Sequence, residues 1–373
     1  MKIGIVCYPT FGGSGVVATE LGLQLSKSKY EVHFITYKQP VRLEIINSSL
    51  FFHEVNVPDY PLFHYQPYEL ALSSKLVDTV KKYNIELLHV HYAIPHAYAA
   101  YMTKKILQSE NIKIPIITTL HGTDITLVGK HPFYKPAVRF SINNSDFVTS
   151  VSEDLKKETI KLFDVKKTIK VIPNFVDFSK HMHHSNDFDR EFIASDNEKI
   201  ISHVSNFRKV KRTLDVIDIF YNIQKEVNSK LIMVGDGPDR LKCMKKCKEL
   251  GIIEKVKFLG NSNQVYNILS HSDLFLLPSE IESFGLSALE AMMLKVPIIS
   301  TNVGGLPEVN IEGISGFLFD IGDIQKMSSK AIEVLKDEVL LNKMKDGAHV
   351  TAKKYDIKKI IPQYEKVYKL FSK

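Results

Sequence analysis

Cysteine is scarce in this sequence, with three residues in 373. So low and odd a count argues against a disulfide-stapled scaffold and points to a reducing compartment, the cytoplasm. Long apolar runs are missing too. No stretch approaches the roughly 20 residues of a membrane-spanning helix. The apolar start, residues 3–6, is too short for a signal peptide and reads as a buried first strand. Charge of one sign is in only modest excess, net +7, without a long Lys/Arg block or a nucleic-acid motif. Such a balance suits anionic small molecules, or simply a solvated surface. Repeats and low-complexity segments are absent as well.

What is present is an alternation. Short β-branched runs at 3–7, 32–36, 87–90, 114–119 and 147–151 are separated by helical patterns such as 16–26, 68–83 and 96–108. Alternation of this kind predicts a parallel sheet covered on both faces. A polar stretch from Pro173 to about Asn197 reads as a linker. Strand patterns then restart at 200–204, 231–234, 256–259, 274–277 and 297–300. The length is more than one core usually holds. The predicted fold class is therefore α/β, with two doubly wound Rossmann-like domains, 1–175 and 176–355, facing a central cleft. A C-terminal helical pattern, 356–373, can belong to either and can pack back on the first. Ligands of such sheets sit beyond the carboxyl ends of the strands.

Two segments carry candidate chemistry. The first strand runs into Gly12-Gly13-Ser14-Gly15 and then a helix, so close backbone approach and free N–H groups are offered to an anion. A structural turn is the plainer reading. The spacing is not G-x-G-x-x-G, and no acidic residue ends the second strand, which disfavours a dinucleotide dehydrogenase. In the second segment, 277–292, a strand ends, a loop carries Glu282, and a helix opens near Phe284, Gly285 and Leu286, with Glu290 about one turn inside. First-turn N–H groups can hold a diphosphate without a metal. Glu290 can accept two hydrogen bonds from a ribose diol, and Glu282 can do the same for sugar hydroxyls. Two glutamates eight apart are, in isolation, more often surface charges.

The pair Glu282 and Glu290, set around Phe284-Gly285, resembles the E-x7-E motif of the retaining glycosyltransferases of family four. Val234-Gly235-Asp236-Gly237-Pro238, Gly304-Gly305-Leu306-Pro307-Glu308 and Gly316-Phe317-Leu318 also resemble segments of that family, so the likeness runs along essentially the whole chain. It implies the two-domain GT-B fold. Cys7-Tyr8-Pro9 through Gly22, His89-Val90-His91-Tyr92, Thr118-Thr119-Leu120-His121-Gly122-Thr123-Asp124 and Ser205 to Arg212 are similar to the branch that opens bacillithiol biosynthesis. That branch joins N-acetylglucosamine, from UDP-N-acetylglucosamine, to the hydroxyl of L-malate. Many members carry Arg five residues before the phosphate-binding Lys. Counting back from Lys211 gives Asn206 here, and Arg208 lies close enough to take over.

The resemblance implies catalytic roles for His121, Glu282 and Lys211. It implies donor binding by Gly15, Asn206, Arg208, Lys211, Glu282, Phe284, Gly285, Leu286 and Glu290. The acceptor, a small dianion, needs hydrogen-bond donors and a cation, and the candidates are Ser14, Tyr92, Thr119 and Arg139, the last on a helix expected to face the cleft. No cofactor, metal, nucleic acid or stable membrane association is implied, and homo-oligomerisation is left open. The cluster His181, His183 and His184, the pair Cys243 and Cys247, and Asp187-Phe188-Asp189 have metal-like or D-x-D spacing without the setting such sites require. Two rivals stand: a peripheral-membrane relative acting on a lipid or sugar, with the aromatic 60–68 stretch as its contact, and a nucleotide-sugar binder without activity.

Overall fold

The computed structural model describes residues 1–43, 48–59, 61–180 and 190–372. They form two compact units, Met1–Pro173 together with Ile360–Lys373, and Asn174–Lys359.

The first unit runs β1 (Lys2–Val6), α1 (Gly13–Ser26), β2 (Glu31–Thr36), β3 (Leu50–Glu54), α2 (Tyr68–Tyr83), β4 (Leu87–His91), α3 (Tyr98–Ser109), β5 (Ile116–Leu120), α4 (Lys135–Asn144), β6 (Phe147–Ser150), α5 (Glu153–Leu162) and β7 (Ile169–Val171). Its seven strands are all parallel, in the order β3-β2-β1-β4-β5-β6-β7. Strands covered on both faces must be apolar almost throughout, and Ile3, Ile5, Val32, Phe34, Leu87, Val90 and Ile117 are all fully buried.

The second unit runs β8 (Lys199–Val204), α6 (Thr213–Ile223), β9 (Ser229–Val234), α7 (Arg240–Glu249), β10 (Val256–Gly260), α8 (Val265–Ser270), β11 (Leu274–Leu277), α9 (Leu286–Met293), β12 (Ile298–Thr301), α10 (Leu306–Val309), β13 (Gly316–Phe319), α11 (Ile324–Lys336) and α12 (Glu338–Ala352). These six strands are also parallel, ordered β10-β9-β8-β11-β12-β13. Strands β3, β7 and β13 were not among the expected runs. Within the polar stretch after Pro173, Val176 pairs with Asp356 in an isolated bridge.

The last helix, α13 (Ile357–Lys369), carries the chain back into the first unit. There Tyr364 and Tyr368 are fully buried, and the Tyr368 hydroxyl lies 2.8 Å from His89 Nδ1.

Candidate active site

Each sheet reverses its strand order once, between β1 and β4 in the first unit and between β8 and β11 in the second. Loops leaving such a switch point diverge and open a crevice for ligand. Most candidate residues lie on the loops that follow these four strands and on the helices those loops open; His121 follows the neighbouring β5, Thr119 lies within it, and Arg139 lies on α4.

In the first unit, the loop after β1 folds back tightly on the start of α1. A Cβ on Gly15 would sit 2.5 Å from Tyr8 O and 2.6 Å from Thr10 O, so only glycine permits this turn. The Gly15 N–H donates to Gly12 O at 3.1 Å, which commits an amide that the sequence suggested for a ligand. Ser14 Oγ and Tyr92 Oη share a hydrogen bond of 2.7 Å. Tyr92 follows β4 at φ +89, and its ring packs edge-on to Tyr8 and tilted to His121, at 5.2 and 5.3 Å.

Histidines dominate the wall behind. His91 Nδ1 lies 2.8 Å from His121 Nε2, and His89 stacks on His91 at 4.6 Å. Burial holds all of them neutral: the His89 and His121 rings are pushed down to about 3 and His96 to about 4, while His91 is lowered further by its histidine neighbours. Asp124 ties the loops after β4 and β5 together. Its Oδ2 accepts the Ala93 N–H at 2.8 Å, and its Oδ1 accepts those of Gly122 at 2.9 Å and His121 at 3.2 Å. Burial raises this carboxyl to about 6, against the pull of those donors.

Thr119 is fully buried, and its hydroxyl is 2.7 Å from both His89 Nε2 and Thr149 Oγ1. Its carbonyl accepts the Tyr92 N–H at 2.9 Å. Thr119 is thus built into the wall, and Ser14, Tyr92 and His121 stand in front of it. Arg139 differs from these. It is exposed on α4 and its guanidinium is paired with Asp164, so its partner is a surface carboxylate and none of the cluster. Sequence reasoning assigned no role to Tyr8, His91, His96 or Asp124. The signal it could have used is the His-x-His at the end of β4, a polar pair where a buried strand should be apolar.

In the second unit, the loops after β8 and β11 are joined by the Glu280 N–H donating to Val210 O at 2.7 Å. Above that link, Lys211 Nζ meets Glu282 Oε2 at 2.5 Å, with both side chains mostly buried. The Glu282 carbonyl accepts the Gly305 N–H at 3.0 Å, which seats the loop on the start of α10. Gly285 at φ +95 opens α9, a left-handed geometry that suits glycine. Phe284 is buried edge-on against Tyr355 at 5.5 Å, and Leu286 begins the helix. Glu290, 7% exposed, receives the Tyr266 hydroxyl at 3.3 Å. Tyr266 was not foreseen. Asn206 and Arg208 are exposed on the loop after β8, and the Arg208 guanidinium has no ion-pair partner among the described residues. The turn after β9 supports that loop through the Asp239 N–H and Phe207 O, at 3.0 Å.

Cys243 and Cys247 are buried in α7, with Cys243 Sγ 3.3 Å from Thr213 Oγ1, as ordinary helix positions. No group of three or more His, Cys, Asp or Glu is arranged to hold a metal among the described residues. His181, His183, His184, Asp187, Asp189 and Tyr60 lie outside them. No helix is long and apolar enough to cross a membrane among the described residues.

Comparison with known proteins identifies the family. Residues 11–180 match a family model described as Glycosyltransferase Family 4, and residues 185–350 match Glycosyl transferases group 1. The N-acetyl-alpha-D-glucosaminyl L-malate synthase of Bacillus anthracis is 46% identical over 99% of this chain and 96% of its own. The 2-deoxystreptamine N-acetyl-D-glucosaminyltransferase of Niallia circulans is 28% identical over 69% of each. The crystal structure of Anabaena HepE in complex with UDP-glucose superposes with a TM-score of 0.81 at 20% identity, over 99% of both chains. The chain is a glycosyltransferase of family four, with the family's two parallel-sheet GT-B fold.

Proposed function

We propose that this enzyme transfers N-acetylglucosamine from UDP-N-acetylglucosamine to the hydroxyl of L-malate, with retention, as the first step of bacillithiol biosynthesis in the cytoplasm. The full-length similarity to the Bacillus anthracis synthase carries this reading. The second unit would hold the donor. Glu290 would take the ribose diol, and Lys211, Arg208 and the opening of α9 would take the diphosphate. Asn206 and Gly15 would complete the donor's surroundings, and Glu282 the sugar hydroxyls. Cations and helix-end amides aimed at the leaving diphosphate stabilise the charge that grows there, which is commonly the largest catalytic term. They also make a metal unnecessary. His121 would contact the transferred sugar. Ser14 and Tyr92 would meet the acceptor, Thr119 would support them, and Arg139 would bind an acceptor carboxylate on release from Asp164.

Retention follows if the malate hydroxyl attacks the anomeric carbon on the face that UDP leaves. The C–O bond to UDP breaks, the new C–O bond forms, and the hydroxyl proton passes to the departing phosphate oxygen. No carboxylate nucleophile among the assigned first-unit residues competes with this route.

The test is an acceptor panel of malate, sugars and lipids, following UDP release from UDP-N-acetylglucosamine. Malate should dominate; release with another acceptor alone would keep the family and reject the branch. One observation favours a second reading, a lipid acceptor at a membrane surface: Leu62 and Tyr65 are 81% and 84% exposed. Co-sedimentation with anionic liposomes separates the two.

A further inference from the structure

Four histidines crowd the first unit's switch point, and their protons can be followed one by one. His96 Nδ1 lies 2.5 Å from the His91 carbonyl. A carbonyl only accepts, so His96 carries its proton on Nδ1 and shows a bare lone pair at Nε2. That Nε2 is buried without a partner among the described residues. His91 Nδ1 and His121 Nε2 share one proton across 2.8 Å. Among the described residues, His91 Nε2 also has no partner and is buried. Suppose His121 were the donor in the shared bond. Neutral His91 would then carry its own proton on Nε2, as a buried N–H with nothing to receive it. With His91 as donor, the unpartnered atom is only a lone pair. Orphaned buried N–H groups are the rarer defect, because nothing replaces the water they lose.

We propose that His91 is a positioning residue: it donates to His121 Nε2 and thereby fixes His121 as the neutral tautomer protonated at Nδ1. His89, His91 and His96 are fully buried, and His121 alone of the four has exposed surface. Its Nδ1 has no partner among the described residues. The fixed tautomer therefore makes His121 a hydrogen-bond donor and not a general base. The neighbours preserve this state. Asp124 accepts the His121 backbone N–H at 3.2 Å, and Tyr92 packs against the ring. The depressed basicity of all four rings keeps a second proton away. What His121 donates to, a hydroxyl of the transferred sugar, rests on the function proposed above.

The test uses the full chain labelled with nitrogen-15 at histidine. Imidazole nitrogen shifts separate protonated from bare nitrogens, and a His121→Gln variant assigns the signals. The expected spectrum shows His121 protonated at Nδ1 and bare at Nε2 from pH 8 down to pH 5. His91→Leu should mix the tautomers of His121 and lower kcat about tenfold, with KM for the nucleotide sugar changed by less than about twofold. His91→Asn places an amide donor near the lost Nδ1 and should restore most of kcat and the single tautomer. A wild-type His121 protonated at Nε2 overturns the proposal. So does a folded His91→Leu with unchanged tautomer and kcat. If His91→Leu fails to fold, the wild-type spectrum and the Asn variant decide. Should wild type release no UDP with any acceptor, the proposed function fails, and the spectrum still decides the tautomer.

Discussion

The two units solve the same topological problem with different electrostatics, one with charged groups and the other mostly with neutral ones. At its switch point, the second unit sets an ion pair, Lys211 with Glu282, a cation without an ion-pair partner among the described residues, Arg208, and a carboxylate, Glu290. At the equivalent place the first unit sets rings and hydroxyls, namely Tyr8, Tyr92, Ser14 and four neutral histidines, around one buried carboxyl, Asp124. Charges at a binding site suit a charged ligand whose charge rises during reaction, and a diphosphate leaving group is such a ligand. Neutral hydrogen-bonding groups in a buried wall suit orientation of hydroxyls, and their order depends on every member being satisfied.

The largest effect should come from breaking the charged side. Lys211→Ala removes the cation proposed for the diphosphate and strands a mostly buried Glu282. UDP release should fall by roughly 10²–10³, the usual loss for one preorganised group at a developing charge. A folded variant with near-normal turnover would dissolve the contrast.

Acid probes the neutral side. A histidine held neutral by the fold takes up a proton on unfolding, so its stabilisation is complete above about pH 6.5 and is lost as pH falls toward the folded value. That value is about 3 for His89 and His121 and about 4 for His96 and His53. Asp124 works oppositely. Raised to about 6, it holds a proton that the unfolded chain gives up, so it adds stability as pH drops through that window. One such carboxyl cannot offset several histidines, and the second unit has a comparable buried ring in His203, at about 4. Between pH 6 and 4 the first unit should lose at least about 1.4 kcal/mol per pH unit, one net proton's worth. Hydrogen exchange read separately for 1–173 and 190–359 should show the first unit opening first; the reverse order would refute the assignment.

Glu290→Ala should weaken UDP binding by roughly 1.5–3 kcal/mol, the worth of charge-assisted contacts to a diol. Calorimetry that finds the affinity unchanged would take the ribose away from Glu290. Next in size is Arg139→Ala, which should raise KM for malate at least about tenfold and leave UDP affinity intact. Its present partner makes a control available. Asp164→Ala frees the guanidinium, should lower that KM, and should cost stability little, since exposed pairs are worth about 0–1 kcal/mol. If neither variant moves KM, Arg139 is a surface cation only. The smallest expected effect is none: UDP release should survive thorough chelation. Loss restored by magnesium or manganese would return attention to Asp187 and Asp189.

Much of the fold was legible because apolar runs alternate with helical patterns, and buried parallel strands must read that way. Strand β3, Leu50–Glu54, escaped because Leu-Phe-Phe-His-Glu is short and shows no alternation. Strand β13 escaped because it is only four residues, two of them phenylalanine. The group proposed for the donor could be picked out in the sequence since Glu282, Gly285 and Glu290 fall within nine residues of one loop and helix. The histidine wall was not, because its bonds run between neighbouring strands: His91 to His121 and His89 to Thr119 each span thirty residues, a separation set by the parallel pairing of β4 and β5. Arg139 was read as facing inward from helical pattern alone, and a helix of ten residues has room for a cation on either face.

The bond between Tyr368 and His89 joins residues 279 apart. Its consequence belongs to synthesis. The first unit emerges from the ribosome early, yet its wall lacks Tyr364 and Tyr368 until all of the second unit has been made. At about 5–20 residues per second, the roughly 190 intervening residues impose a wait of about 10–40 s. A sheet formed during that interval would have a gap where α13 will seat, with His89 lacking its Tyr368 partner. A nascent chain stalled before residue 360 should therefore present a recognisable, chaperone-accessible scar, and completion of the N-terminal unit becomes a late event timed by translation.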